Sequence, residues 1–220
     1  MPRPIEEVAT GSIFGVALNY RSLLDSRLDE FRQAPYKTPP NKPVLFIKTE
    51  NTRNGNERPM VFPAGVERIQ PGPAVGVVIG RKASRVRPED AMDYVAGYTI
   101  VNEFSLPEES YYRPAVKAKC RDGFCPMGPD LVEADAIADP GNLSIQLRVN
   151  GDVRQEGHTS DWVRTIPELI GELTEFMTLN EGDVLITGTP AGRVDVKVGD
   201  RVEVEISGLG RLVNTITAEH

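Results

Sequence analysis

A chain of 220 residues, 40% of them hydrophobic, can bury one sizeable core and lies below the roughly 250–300 residues at which chains tend to split. Its 25 basic and 32 acidic side chains leave a net charge of −7, which argues against a nucleic-acid partner, since phosphates demand a clustered positive surface. No stretch approaches the ~18–20 apolar residues of a membrane span, and two cysteines are too few for a disulfide scaffold. With no apolar leader core in MPRPIEEVATGS, a soluble cytoplasmic protein with reduced thiols at Cys120 and Cys125 and no membrane partner is expected. His158 and His220 are the only histidines, so zinc sites and imidazole triads are nearly excluded. Any chemistry falls to carboxylates, lysines and arginines.

Residues 13–18 and 44–47 form two short apolar runs separated by a proline-rich loop at 34–43, with one helical turn expected near 28–31. VGVVIG at 75–80 is β-branched and too short for a helix, and it reads as a buried strand. Pro88, Glu89 and Asp90 suit the start of a short helix over 87–96, ended by Gly97. A strand is expected over 98–104, and then a long irregular stretch over 105–128. Asn150-Gly151 between the runs 143–149 and 152–155 signals a hairpin. Thr165-x-x-Glu168 forms a capping box ahead of Ile166, Leu169, Ile170, Leu173, Phe176 and Met177 at helical spacing, which predicts the longest helix over 166–177 with Leu169, Leu173 and Phe176 facing inward. Strands at 183–187, 201–206 and 211–216 complete the chain. The result is an α+β fold, a mixed β-rich roll with few helices.

Gly208-Leu209-Gly210 lies between two strands with no helix to receive a pyrophosphate, and it reads as a turn. Cys120 and Cys125 lack the second pair a metal site needs. Arg113, Lys117, Lys119 and Arg121 cluster within nine positions of an acidic protein, either as a solvated face or as a carboxylate pocket walled by Tyr111 and Tyr112. The turn Thr187-Gly188-Thr189-Pro190-Ala191-Gly192 can offer backbone N–H groups and hydroxyls to an anion.

VLFIK at 44–48, VVIGR at 77–81, DAMDYVAGYTIVNEFS at 90–105, KAKCRDGFCPMGPDL at 117–131, VNGDVRQEGHTSD at 149–161, FMTLNEGDVLITGTPAGR at 176–193 and VGDRVEVEISGLGRLVN at 198–214 together resemble the fumarylacetoacetate hydrolase family over nearly the whole chain. The resemblance implies one domain over 1–220, with an amino-terminal extension and lead-in strands at 1–70 and a core at 71–220. It also implies Mg²⁺ or Mn²⁺ chemistry on 2-oxo acids through enolates. The family's acidic metal ligands fall on Gly72, Ala74 and Glu103, so this chain is expected to lack a complete metal site. Leu23 and Ser26 stand where the family has His and Glu, and Pro107 where it has Arg.

Lys119 matches the pocket lysine and is the expected catalytic residue, a stabiliser of a forming enolate. Lys119, Gln155 and Thr189 are expected to bind substrate, with Arg113 or Arg121 at the pocket mouth. Residues 105–126 are most like a branch that decarboxylates and isomerises ring-opened di- and tricarboxylates of aromatic breakdown. Family habits imply a homodimer, or a hetero-oligomer with a homologous second subunit. A metal-deficient, non-catalytic partner and a stand-alone acylpyruvate hydrolase or oxaloacetate decarboxylase are the alternatives.

Overall fold

Thirteen strands and five short α-helices make up residues 3–219, the part of the chain described by this computed structural model. The strands are β1 (Arg3–Pro4), β2 (Ile13–Ala17), β3 (Val44–Lys48), β4 (Arg53–Asn54), β5 (Met60–Phe62), β6 (Pro73–Ile79), β7 (Val95–Asn102), β8 (Cys125–Glu133), β9 (Ser144–Val149), β10 (Asp152–His158), β11 (Val184–Ile186), β12 (Arg201–Ile206) and β13 (Gly210–Ala218). The helices are α1 (Ile5–Val8), α2 (Arg21–Ser26), α3 (Leu28–Phe31), α4 (Val116–Lys119) and α5 (Ile166–Thr174).

An eight-stranded sheet runs β1-β8-β7-β6-β11-β2-β3, with β4 added beside β8, and a five-stranded sheet runs β10-β9-β12-β13-β5. Most neighbours are antiparallel, but β11 with β2, β4 with β8 and β13 with β5 are parallel. The α+β mixed-sheet expectation therefore stands. Residues 13–48 do more than lead in, because β2 and β3 extend the large sheet beyond β11.

The apolar run in β6 lacks alternation because the strand is buried on both faces. Val75, Val77 and Ile79 join the main core between the sheets, together with Leu147, Val204 and Leu212. Ala74 and Val78 point the other way, into a smaller core that includes Ile5, Met127 and Ile186. At the hairpin, Asn150 (φ 55°) and Gly151 (φ 90°) both adopt the positive φ that a two-residue type I′ turn needs.

The capping box forms as expected, with the Thr165 N–H donating to the Glu168 carboxylate at 2.7 Å. The helix that follows is shorter than predicted. It ends at Thr174 and buries Ile166, Leu169, Ile170 and Leu173, but Phe176 is 69% exposed. Beyond Thr174 the chain tightens, with Phe176 N–H and Met177 N–H both donating to the Leu173 carbonyl, and this swings Phe176 off the buried stripe.

The predicted helix over 87–96 is a 3₁₀ segment, Pro88–Tyr94, and the strand β7 begins at Val95. Gly97 does not end a helix. It lies within β7, where a Cβ would run into the Val132 carbonyl. The stretch 105–128 also holds α4 and the start of β8, which its prolines concealed. Pro129 is tolerated because the β7–β8 register shifts there, between the pairs Tyr98–Val132 and Ile100–Gly128, and Pro126 lies ahead of Met127, the last β8 residue paired with β7 on that side.

Candidate functional site

The ends of β2, β7 and β11 and the start of β6 meet along one edge of the large sheet, as their pairing directions require. The loop leaving β11 is fixed there from several sides. Asn19 Nδ2 donates to the Thr187 carbonyl at 2.9 Å and to the Arg164 carbonyl at 3.1 Å, while its Oδ1 accepts from Arg164 N–H at 3.0 Å. The Thr187 hydroxyl donates to the Val75 carbonyl at 3.0 Å. Gly188 takes φ 105°, a left-handed value suited to glycine, beside the Val16 carbonyl. Gln155 Nε2 donates to the Pro190 and Ala191 carbonyls at 2.8 and 3.1 Å. Thus held, the loop presents Thr189 and Arg193 to a cavity of about 230 Å³.

Glu103, Glu108, Arg27, Lys119, Tyr111 and Phe46 also line that cavity. The buried Glu103 carboxylate is its electrostatic centre. It receives Lys48 Nζ at 2.8 Å, Lys119 Nζ at 3.0 Å and the Arg193 guanidinium. Burial pushes the Glu103 carboxyl upward, but attraction to Lys119, Lys48 and Arg193 outweighs it and holds the group well below the usual carboxylate range. Lys48 is structural in placement. Its ammonium also donates to the carbonyls of Phe104, Lys119 and Phe124 at 2.6, 2.8 and 3.0 Å, while burial pulls its pKa down.

Lys119 Nζ reaches a second carboxylate, Glu108, at 3.2 Å and lies 4.4 Å from the Phe46 ring centroid. Burial, then the Glu108 charge, pushes the Tyr111 hydroxyl up to about 12, so it stays a phenol near neutrality. The three cations around Glu103 and Glu108 leave a positive surplus. Arg27 adds to it at the cavity wall, although it shares its charge with Glu30 at 3.2 Å. Such a cavity attracts carboxylates and can stabilise negative charge that forms on a bound oxygen.

Of the residues expected to bind substrate, Lys119 and Thr189 share this cavity. Gln155 is buried behind the loop and supports it through Pro190 and Ala191 instead of lining the space. Arg113 is exposed, and Arg121 lines a separate groove with Arg53, Asp122 and Glu219. The arginines at the cavity are Arg27 and Arg193, brought in from distant segments. Tyr111 forms part of the wall, while Tyr112 is 59% exposed and stacks edge-on with Tyr36. Both cysteines are free thiols.

A cationic cavity at the strand ends of a mixed-sheet roll is chemically suited to carboxylates, and comparison with known proteins gives the family of the chain. Residues 12–217 match the family profile "Fumarylacetoacetate (FAA) hydrolase C-terminal". The chain belongs to the fumarylacetoacetate hydrolase family. It is 47% identical over 209 residues to the 4-hydroxyphenylacetate degradation bifunctional isomerase/decarboxylase of Escherichia coli, covering 95% of this chain and 48% of that protein. The chain thus spans about half the length of that relative.

Among solved structures, 5-carboxymethyl-2-hydroxymuconate delta-isomerase from Mycobacterium smegmatis superposes with a TM-score of 0.83 at 29% identity, covering 97% of this chain and 81% of that one. Maleylpyruvate hydrolase from Sphingobium sp. SYK-6, in complex with manganese(II) and pyruvate, gives a TM-score of 0.79 at 29% identity, covering 100% and 73%. A manganese ion would need free side-chain donors at this cavity. Gly72 and Ala74 carry no donor atoms, and both Glu103 oxygens are already engaged by cations. Among the described residues, no group of three His, Cys, Asp or Glu side chains is placed to hold a metal ion. Glu108, the other carboxylate on the cavity wall, is paired with Lys119 at 3.2 Å, so these residues do not fit a divalent cation, which needs one or two free carboxylates.

Proposed function

We propose that this chain is a subunit of the bifunctional enzyme of 4-hydroxyphenylacetate catabolism that decarboxylates 5-oxopent-3-ene-1,2,5-tricarboxylate and isomerises the resulting 2-hydroxyhepta-2,4-diene-1,7-dioate. The observation that carries the reading is the cationic cavity around Glu103 and Lys119, in a chain 47% identical to the E. coli enzyme. In the first step the bond to the departing carboxylate breaks, CO₂ leaves, and the electron pair passes into a dienolate. In the second, a proton leaves the enol oxygen and another is added at carbon, so that the dienol becomes the 2-oxo isomer. Both steps pass through negative charge on one oxygen, which Lys119 stabilises. Glu108 and the Tyr111 phenol face the same space and are the groups placed to take and give protons.

A specific observation favours a second reading, the non-catalytic partner. Lys119 already spends its donors on Glu103 and Glu108, as a purely structural lysine would. Association with a homologous subunit belongs to both readings, and the open edge strand β3 supports it. That strand presents Leu45 and Ile47 outward, and α4, which packs against it, exposes Val116, where a solvated edge ordinarily carries charge. Purified alone and together with a carboxyl-half homologue, the chain should turn over both compounds at least in the mixture. Turnover by the homologue unchanged on adding this chain would favour the non-catalytic reading.

A further inference from the structure

Gly72 is held on both sides at the entry to β6. Its N–H donates to Asn102 Oδ1 at 2.9 Å, and its carbonyl accepts from Glu103 N–H at 2.7 Å. Its φ is not among the left-handed values of the chain, so conformation does not call for glycine there. Space does. A Cβ on residue 72 would stand 2.7 Å from Arg193 Nη2, 2.8 Å from Arg193 Cζ and 2.5 Å from the Glu103 carbonyl oxygen. The guanidinium therefore lies flat against the main chain, in the volume that a side chain at 72 would claim. Nη1 donates to the Glu103 carbonyl at 3.0 Å and the Gln70 carbonyl at 3.4 Å, while Nη2 meets the Glu103 carboxylate and lies 3.4 Å from Thr189 Oγ1.

We infer that Arg193 is a built-in cation that takes over the place of a divalent metal in this cavity, so that a ligand carboxylate is bound on Arg193 and Lys119 without any metal. A guanidinium does not lose its charge near neutrality; Nη1 and Nη2 are already engaged by Glu103 and the two carbonyls, so a ligand carboxylate is attracted by the retained charge on the Thr189 side instead of entering a free fork. Glu103 and two carbonyls fix its orientation before a ligand arrives, which is the condition for strong electrostatic stabilisation. A divalent ion that approached Glu103 would have to displace the guanidinium and would sit among Lys48 and Lys119, where like charge repels it. The inference rests on the functional reading above only in taking the ligand to be a carboxylate.

Oxalate, a planar dianion, is the probe. It is titrated calorimetrically into the EDTA-treated wild-type chain with and without added Mn²⁺, and into Arg193→Met without metal. The wild type should bind oxalate with an affinity that Mn²⁺ changes by less than about twofold, and Arg193→Met should bind roughly tenfold or more weakly. An affinity that rises about tenfold with Mn²⁺, no oxalate binding by the metal-free wild type, or a variant that binds as the wild type does would each overturn it. The manganese comparison uses the wild type alone and stands even if thermal melting shows that Arg193→Met does not fold. Metal-free oxalate binding without any turnover, alone or with a partner subunit, would sink the enzymatic reading and leave the role of Arg193 intact.

Discussion

Glu103 holds three cations in place, so its charge is the most consequential single group in the molecule. Replacing it with glutamine leaves Lys48, Lys119 and Arg193 buried without a counter-charge, and Glu103→Gln should cost about 3–5 kcal/mol in urea unfolding. The same group sets an acid limit. Its folded carboxyl lies below the ordinary value of ~4.3, so its contribution is complete above that value and is lost as pH falls from there toward the folded value. Unfolding of the wild type should therefore steepen with acid below about pH 5, and Glu103→Gln should flatten that slope. Equal slopes would show that Glu103 is not the linked group. Lys119→Ala should weaken binding of a dicarboxylate by ~1.5–3 kcal/mol, read by calorimetry, and unchanged affinity would move the site elsewhere.

Lys119 and Thr189, which line the cavity, were legible through the family resemblance and not through local spacing. Arg27 and Arg193 were not legible. Arg193 meets Glu103 across 90 positions of sequence, and the glycine that makes room for it lies 31 residues before Glu103; no local spacing encodes that convergence. The basic cluster around Lys119 misled for a related reason. Composition counts Arg113 and Arg121 with Lys119, yet only Lys119 turns inward at the end of α4.

At the level of elements, local signals and apolar runs worked where they are self-sufficient. The capping box, the hairpin at Asn150-Gly151 and the continuous apolar run of β6, buried on both faces, all formed as read. Periodicity failed at β8, where Gly128 and Pro129 sit at an irregular register and Pro126 lies just ahead of the stretch paired with β7. It also overran the end of α5, since spacing alone cannot show that the helix closes before Phe176. That contrast can be measured. Leu173→Ala removes a fully buried side chain and should cost ~2–5 kcal/mol, whereas Phe176→Ala at an exposed position should stay within ~0.5 kcal/mol. Equal losses in chemical denaturation would place Phe176 back in the core.

At the scale of the whole molecule, the large sheet ends in β3, whose outward face is apolar. Leu45→Lys with Ile47→Lys should leave the melting temperature nearly unchanged while converting an associated species to a monomer in sedimentation. A wild-type chain that is monomeric at micromolar concentration, alone and with a homologous subunit, would remove that surface from the account. We hold that this chain's own cavity takes part in the chemistry. The deciding comparison is between wild-type and Lys119→Ala chains, each combined with the same wild-type carboxyl-half subunit, for decarboxylation of the tricarboxylate and isomerisation of the dienol. Loss of a donor to a developing enolate should slow at least one step by roughly 10²-fold or more, with the assembly intact in sedimentation; rates that match the wild type in both steps would contradict the claim and leave the chain a non-catalytic partner.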